Sequence, residues 1–260
     1  MPDFHDARRE TIRYHDELYA NASLGDEGTW LARPHPLIHE AIALVADDRP
    51  VVAYDLGAGI GRHVVPLLER LPDGSQVHAI DLLDSAVERL RALTPASGSR
   101  TLHVQRADLA DVTFEQPADL IFAFSAVEHL PGTAAIGGLF ARIRSALAPG
   151  GVVALGIVAD RYEVDAQGER RPALLESALS TQDVDTLVAD AFPDLQTVSH
   201  GTRPALVEEQ RDGETYTLGS TLVTWIGRQS GAQTRSALRP APLRAAPRSP
   251  SPSPRDRGGA

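Results

Sequence analysis

Apolar runs of strand length alternate with stretches of helical period through the middle of the chain. A short continuous apolar run indicates a buried strand, and apolar positions that recur every three or four residues indicate a helix. The pattern predicts helices over 36–47, 61–71, 84–93 and 133–147, and strands over 51–55, 77–81, 101–106, 118–124 and 152–158. Strands that alternate with helices in this way predict βαβ units and a parallel sheet.

The pattern changes after this region. It predicts one more helix over 181–191 and shorter strands over 196–200, 205–209 and 215–225, the last two joined by a hairpin turn at Arg211-Asp212-Gly213. We therefore predict an α/β fold: a doubly wound, mostly parallel, Rossmann-like sheet that an antiparallel strand closes.

The composition of the two ends separates them from a central domain that we place at residues 36–229. Residues 1–35 are rich in aromatic and basic side chains, and we interpret them as a lid over the functional site; the alternative is a packing arm that covers a helix. Residues 230–260 are rich in Pro, Ser and Arg, so we expect them to be disordered, either as an interaction tail or as a solvated appendage.

A glycine-rich segment, Asp55-Leu56-Gly57-Ala58-Gly59-Ile60-Gly61, directly follows the first predicted strand. Glycine permits positive φ and lets a ligand approach the main chain closely, and the amides at the start of the next helix face that ligand. A dinucleotide fingerprint needs a small residue at position 62, where this chain has Arg62, so NAD and FAD are disfavoured. The chain has no lysine, which excludes a phosphate-binding P-loop.

Two aspartates follow the next two strands. Asp81 ends the second strand, about 20 residues past the loop, where a carboxylate can accept hydrogen bonds from ribose hydroxyls. We assign the cap of the next helix to Asp84, which favours a ligand role for Asp81. Asp108 follows the third strand beside the apolar Leu109, where it can accept a hydrogen bond from an adenine amino group or serve as a loop carboxylate.

Five segments in one order carry a family resemblance: VVAYDLGAGIG, VHAID, Ala107-Asp108-Leu109, ADLIFAFSAVEHL and LAPGGVVAL. Over roughly residues 47–158, the chain resembles the class I S-adenosylmethionine-dependent methyltransferases. Through YHDELY, GRH and DGETYTLGSTLVTWIGR it is similar, within that family, to the tellurite-resistance methyltransferases and related small-molecule enzymes. The resemblance implies S-adenosyl-L-methionine as the cofactor and methyl transfer as the activity; a cofactor-binding regulatory or scaffold protein without turnover is the alternative.

The resemblance also implies which residues hold each part of the cofactor. The methionine part would be held by Asp55, Gly57, Ala58, Gly59 and Gly61, and the ribose by Asp81 and Leu82. The adenine would be held by Asp108 and Leu109, and Ser125 and Ala126 would lie beside the sulfonium.

Methyl transfer from a sulfonium depends on alignment and on the exclusion of water more than on dedicated catalytic side chains. Glu128 and His129 follow the fourth strand at the expected rim of the cofactor site, and either could accept a proton from a substrate. A structural role at a helix start is the alternative for His129. The side chains that we expect in the lid or against the substrate are Tyr14, Tyr19, Trp30, Arg33 and Arg62.

Composition excludes several other functions. The chain has no cysteine, and His39-Glu40 is followed by Ala43 where a zinc site would need a second histidine, so we expect no metal site. No apolar segment is long enough to span a membrane, and the first ten residues lack the apolar core of a signal peptide. We therefore expect a cytoplasmic protein that does not bind membranes; the sequence predicts no oligomeric state.

The charge distribution bears on the substrate. The net charge is −10, and residues 235–260 hold six arginines and one aspartate, which leaves −15 on the rest of the chain. An acidic body repels nucleic acids, so we expect a small-molecule acceptor, bound between residues 14–33 and a hairpin at 207–225. That hairpin contains Val207-Glu208-Glu209-Gln210 where tellurite-handling relatives carry a His-Arg pair, which disfavours an anionic acceptor.

Overall fold

The computed structural model describes residues 4–27, 29–46, 49–93, 99–211 and 214–230. The helices are α1 Phe4–Asn21, α2 Pro36–Val45, α3 Val64–Arg70, α4 Asp84–Arg91, α5 Gly132–Ala146 and α6 Thr181–Ala191, with single 3₁₀ turns at Trp30–Ala32 and Val127–His129. The strands are β1 Val52–Leu56, β2 Gln76–Asp81, β3 Thr101–Arg106, β4 Ala118–Phe124, β5 Leu147–Val164, β6 Arg170–Pro172, β7 Leu195–Arg211 and β8 Glu214–Gln229.

The strands form one sheet in the order β3-β2-β1-β4-β5-β8-β7, and the short β6 pairs with β5. The five strands β1 to β5 are parallel to one another, whereas β8 lies antiparallel to β5 and to β7. The strand order reverses at β1. From β1 the chain continues to β2 on one side and then to β3, and it later crosses to β4 on the other side of β1. A crevice at the carboxyl ends of the strands is expected at this switch point.

Helices cover both faces of the sheet because side chains along each strand point alternately to opposite faces. One face buries Leu120 and Phe122 of β4 against α2 and α3, and the other buries Ile121 and Ala123 against α5 and α6. This arrangement is the doubly wound, mostly parallel sheet with an antiparallel closing strand, and the predicted fold class is confirmed.

Two strands are longer than predicted. The pattern indicates a strand over 152–158, but β5 extends from Leu147 to Val164 because it pairs with β8 along most of that length. The segments predicted over 196–200 and 205–209 are one continuous strand, β7. Pro204 lies between them, and a proline is compatible with β7 because that strand is at the edge of the sheet, where a missing N–H leaves no ladder bond unmade.

The helix α1 was not predicted because it has no broad apolar stripe. Its exposed side is stabilised instead by ion pairs one turn apart, as between Arg13 and both Glu10 and Glu17. The predicted helix at 61–71 begins only at Val64, because Gly61 has a φ of +100° and cannot continue a helix toward the loop.

Two predicted features lie outside the described residues: Asp212-Gly213 of the hairpin turn, and the tail apart from Ser230. The boundaries at residues 36 and 229 stay predictions.

The central position of β4 predicts the cost of truncating its side chains. Leu120→Ala removes a side chain with no exposed surface, so we expect the free energy of unfolding to fall by about 2–5 kcal/mol. Leu206→Ala is the matched control, because Leu206 on the edge strand is 70% exposed, and we expect a change within about 0.5 kcal/mol. Denaturant unfolding measures both; equal losses in the two variants would contradict the buried position of β4.

Candidate active site

A pocket lies at the carboxyl ends of β1, β2, β3 and β4, and α1 forms its cover. The empty space inside it, including the space at its open mouth, is about 680 Å³. The lining residues are Arg8, Thr11, Ile12, His15, Tyr19, Gly57, Asp81, Leu82, Leu83, Asp108, Leu109, Ser125, Ala126, His129, Leu130 and Glu176.

Seven of the eleven predicted cofactor residues line this pocket, and they come from the ends of all four strands. The ones that do not are Asp55, Ala58, Gly59 and Gly61. Of the two predicted catalytic residues, His129 lines the pocket and Glu128 does not. Of the predicted lid and substrate residues, only Tyr19 does.

The glycine loop lies against the end of β4 so closely that a side chain would not fit. Gly57 has a φ of +72°, and a Cβ on it would lie 2.3 Å from the Cβ of Ala126. The amides of Gly57 and Ala58 both donate to the carbonyl of Ile80 at the end of β2. The loop is therefore fixed to β2 and β4, and it leaves bare backbone at the pocket wall.

Asp81 connects the glycine loop to the segment after β2. Its Oδ2 accepts from the amide of Gly59 at 2.7 Å, and its Oδ1 accepts from the amide of Leu83 at 3.0 Å. Burial raises the pKa of Asp81, and these two hydrogen bonds partly oppose that effect.

The assignment of the helix cap to Asp84 was wrong. The cap position of α4 is Leu83, and its amide is satisfied by Asp81. Asp84 lies one residue later, within the helix, and its carboxylate pairs with Arg106 at 2.7 Å. Asp81 therefore has a structural role of its own as well as a position in the pocket wall.

Asp55 lies behind the pocket wall, at the end of β1. It is 1% exposed, and its Oδ2 has no hydrogen-bond partner. Burial raises its pKa to about 7, although the charge of the nearby Arg62 opposes the shift. A buried carboxylate oxygen without a partner beside a glycine loop is the kind of atom that a bound ligand or water satisfies.

Asp108 lies at the far side of the pocket from the glycine loop. Its Oδ1 accepts from the amide of Ala110 at 2.9 Å, and its Oδ2 pairs with the guanidinium of Arg8 on α1. This ion pair joins α1, which covers the pocket, to the segment after β3.

Ser125 at the end of β4 has a strained backbone. Its φ is +51°, its amide donates to the carbonyl of Gly156, and its hydroxyl donates to Glu128 Oε1 at 3.1 Å. Glu128 is fully buried below this turn, and its Oε1 also accepts from the amide of Val158. Glu128 was expected at the rim; the structure corrects this position, because its carboxylate supports the turn of Ser125 from inside the protein.

His129 lies in the pocket wall beside a carboxylate that the sequence analysis missed. Its Nδ1 is 3.2 Å from Oε1 of Glu176, whose side chain is fully buried. Burial alone would raise the pKa of Glu176, but the hydrogen bonds from His129 and Thr11 and the charge of His129 outweigh it and lower that pKa.

A second histidine, His15 of α1, faces His129 across the pocket with 5.9 Å between ring centroids. Its Nδ1 lies 2.8 Å from the carbonyl oxygen of Thr11, so Nδ1 carries the proton and Nε2 is the acceptor of the neutral ring. Burial, and then the charge of His129, lower the pKa of His15 to about 4.

The expected lid residues divide between the pocket and the surface behind it. Tyr19 is buried in the pocket wall, and its hydroxyl would lie 2.7 Å from a Cβ at Gly59. Trp30 and Arg62 pack on each other outside the pocket, with the guanidinium 4.9 Å from the indole centroid and donating to the Trp30 carbonyl. Tyr14 packs edge-on against the ring of His15, and Arg33 is exposed.

The 207–225 hairpin, where we expected one side of the acceptor site, lies apart from this pocket in its described residues. No described residue of that hairpin lines the pocket. The side chain of Glu208 is exposed, on the edge strand β7. The pocket's own acidic residues, Asp81, Asp108 and Glu176, come from other elements.

Seven residues that line the pocket were not among the predicted site residues: Arg8, Thr11, Ile12, His15, Leu83, Leu130 and Glu176. Arg8, Thr11, Ile12 and His15 lie on one face of α1 at spacings of three, four and seven, so the helical period would have revealed them had α1 been predicted. Glu176 comes from the loop before α6, 47 residues after His129, and no local pattern indicates it.

A metal site and a membrane-spanning helix are both absent from the described part of the chain. It contains no cluster of three or more His, Asp or Glu residues arranged to hold a metal ion. None of its helices combines the length and apolar character needed to cross a membrane.

Comparison with known proteins agrees with the fold and the glycine loop. Residues 53–151 match the family model described as a methyltransferase domain. Together with the sheet order and the position of the pocket, this match agrees with the predicted resemblance to the class I S-adenosylmethionine-dependent methyltransferases. S-adenosyl-L-methionine is the cofactor of that class.

The curated relatives are named for one acceptor. The chain is 36% identical over 123 residues to a trans-aconitate 2-methyltransferase of Acidovorax ebreus, and 35% identical over 116 residues to one of Methylobacterium radiotolerans. These alignments cover 47% and 45% of this chain but only 44% and 41% of those proteins, so the chain matches less than half of each relative.

Solved structures agree in fold. TehB from Haemophilus influenzae superposes with a TM-score of 0.56 at 12% identity, over 78% of this chain and 64% of that one. The N-methyltransferase NodS from Bradyrhizobium japonicum, in complex with S-adenosyl-L-homocysteine, superposes with a TM-score of 0.53 at 16% identity, over 84% and 98%.

The lowered pKa of His15 predicts a pH dependence of stability. The pKa is about 4 in the folded protein against 6.5 for the free side chain, so the unfolded chain binds more protons between these values. The free energy of unfolding of the wild type should therefore fall, relative to His15→Gln, by about 1–3 kcal/mol as the pH drops from about 7 to about 4.

Denaturant unfolding across this pH range measures the difference. His200→Gln is the control, because His200 pairs with Asp185 at an exposed site and should keep a difference from wild type within about 0.5 kcal/mol. If the free energy of unfolding changes with pH by the same amount in the wild type and in His15→Gln, then His15 is not held neutral in the folded protein.

Proposed function

We propose that this chain transfers the methyl group of S-adenosyl-L-methionine to a small-molecule acceptor and releases S-adenosyl-L-homocysteine. The observation that carries the proposal is a single pocket, under α1, that collects the ends of four parallel strands with Gly57, Asp81, Asp108, Ser125 and His129 in its wall.

The residues present fit the cofactor. Asp81 has lone pairs left after its bonds to Gly59 and Leu83, so it can also accept from two ribose hydroxyls, next to Leu82. Asp108 can likewise accept from the adenine amino group while it keeps Arg8, with Leu109 against the base. The methionine part then lies along Gly57 toward Ser125 and Ala126, and Asp55 has a free oxygen behind the loop. The bound cofactor supplies an activated methyl group.

The chain itself positions the reactants, excludes water from them and supplies a base. α1 is attached to α4 by the Ser85 hydroxyl, which donates to Asp16 at 2.6 Å, and by Arg89, which donates to the carbonyl of Ala22. A cover fixed in this way excludes water from the reacting atoms. His129 is the residue that we assign to accept the acceptor's proton, and Glu128 acts only through the turn of Ser125.

We expect a small acceptor because the pocket under α1 must hold it together with the cofactor. Nucleic acids are disfavoured as acceptors because the net charge of −15 outside the tail repels their phosphates. Location in the cytoplasm stays a prediction.

Trans-aconitate, the acceptor in the names of the curated relatives, is a second candidate with less support. It carries three carboxylates, whereas the arginine in the pocket wall, Arg8, is already paired with Asp108. We therefore expect a neutral acceptor to be preferred.

The test is release of S-adenosyl-L-homocysteine in the presence of single acceptors. The panel holds neutral alcohols, amines and thiols on one side, and trans-aconitate, tellurite and RNA on the other. We expect turnover with neutral small molecules, rates at least about tenfold lower with the small anions, and none with RNA. Binding of S-adenosyl-L-homocysteine without turnover of any acceptor would support the scaffold alternative instead.

Gly57→Ala tests the cofactor part of the proposal. The added Cβ would displace the glycine loop or Ala126, both in the pocket wall, so we expect the affinity for S-adenosyl-L-homocysteine to fall by about tenfold or more. Gly168→Ala is the matched control: its φ of +83° brings the same backbone strain, but nothing lies within 4 Å of its added Cβ. Calorimetry measures both affinities; an equal effect of the two substitutions would remove Gly57 from the site.

A further inference from the structure

His129 and Glu176 form a pair with a defined proton position. A carboxylate oxygen only accepts hydrogen bonds, so the contact of 3.2 Å between Nδ1 and Oε1 requires the proton on Nδ1 of His129. In the neutral ring, Nε2 is then the atom that has a free lone pair. His129 lines the pocket with 26% of its side chain exposed, so this ring is accessible to a ligand there.

Glu176 is held firmly enough to direct the ring. The hydroxyl of the adjacent Ser177 donates to the carbonyl of Leu130 at 2.5 Å and accepts from the amide of Gly132 at 2.7 Å. These bonds attach the loop before α6 to the residues directly after His129. The side chain of Glu176 has no exposed surface, and its Oε2 has no hydrogen-bond partner.

The charged groups around this pair come from several elements. Glu176 is in contact from the loop before α6, Asp81 acts from the end of β2, and Arg161 of β5 is 3.9 Å from the outer oxygen of Glu176. His15 faces the ring from α1, but its lowered pKa keeps it neutral, so it adds no opposing charge.

We propose that Glu176 is a positioning residue: it holds His129 in the Nδ1–H tautomer, so that Nε2 can deprotonate an acceptor whose nucleophile is a hydroxyl or an amine. This inference rests on the proposed function and names the acceptor class of the same site.

The atoms and charges of the step balance. With a hydroxyl acceptor, the O–H proton moves to Nε2 of His129 while a lone pair on oxygen forms the bond to the methyl carbon. With a neutral amine, the lone pair of the nitrogen forms that bond, and Nε2 takes the proton from the ammonium group that results. The carbon–sulfur bond breaks, and its electrons stay on sulfur. One positive charge is lost at the sulfonium and one appears on the imidazole ring, beside the carboxylate of Glu176. An acceptor that is already an anion has no proton to give and gains nothing from this pair.

The first experiment needs neither cofactor nor turnover. Nitrogen-15 NMR of the imidazole groups in the cofactor-free protein, with the His129 signals assigned from their absence in His129→Gln, reports the tautomer. We expect the Nδ1–H form in the wild type and in Glu176→Gln, whose amide oxygen can still accept, and a shift toward the Nε2–H form in Glu176→Ala. An unchanged tautomer in Glu176→Ala overturns the positioning role, whatever the activity.

The second experiment is kinetic. With a neutral alcohol or amine, we expect kcat of Glu176→Ala to fall by about 100-fold or more, and that of Glu176→Gln by less, with the KM for the cofactor nearly unchanged. The loss should shrink for acceptors of increasing acidity, because these need less help to lose a proton. A purely structural role would reduce kcat equally for every acceptor, and that result overturns the proposal.

Asp185→Ala is the matched control, because it breaks another histidine–carboxylate pair of similar length, with His200, at an exposed site. We expect its kcat to equal that of the wild type. If the wild type turns over no acceptor although the tautomer shift is observed, the proposed function fails and the positioning role stands. If the wild type is active and Glu176→Ala is equally active, the proposed function stands and this inference fails.

Discussion

The carboxylate of Asp81 is the contact on which the rest of the site depends. It accepts from Gly59 in the loop after β1 and from Leu83 at the start of α4, so one side chain fixes two adjacent crossover segments at the switch point of the sheet. The amides of Gly57 and Ala58 reinforce this attachment through the carbonyl of Ile80. Because these bonds use only part of the hydrogen-bonding capacity of the carboxylate, the same group can organise the empty loop and receive a ligand.

The helix α1 covers the carboxyl ends of the strands and so forms a pocket there. Its polar contacts with the body include the Arg8 pair with Asp108 and the Ser85 bond to Asp16, and Arg89 donates to the carbonyl of Ala22 directly after the helix. The same helix carries His15, so the cover of the pocket also contributes to its electrostatics. A neutral His15 opposite His129 and Glu176 leaves the carboxylate as the charge nearest to the proposed base.

The parts of the fold that the sequence could predict are those built from local signals. A buried strand followed by glycines and a helix defines the loop at Gly57, and an aspartate at the next strand end defines Asp81, because both depend on the order of a few consecutive residues. The doubly wound sheet followed from the alternation of strands and helices.

The remaining features depend on contacts between distant segments. The segments predicted over 196–200 and 205–209 form one strand that continues through Pro204, and the edge position of β7, which tolerates a proline, is a property of the whole sheet. Asp84 was given a cap role that Asp81 performs through the amide of Leu83, and Glu128 was expected at the rim although it lies buried below Ser125. Glu176 meets His129 only after α5, β5 and β6 have folded between them, so no pattern near either residue could indicate the pair.

A crystal structure of the chain with S-adenosyl-L-homocysteine tests the central claim most directly, because it locates the ligand without any assumption about the acceptor. The account predicts the ligand under α1, with the ribose hydroxyls on Asp81, the adenine between Asp108 and Leu109, and the sulfur beside Ser125 on the side of His129. A ligand bound elsewhere, such as in the groove between α6 and β8 near Trp225, or one that leaves Asp81 without a contact, would contradict it.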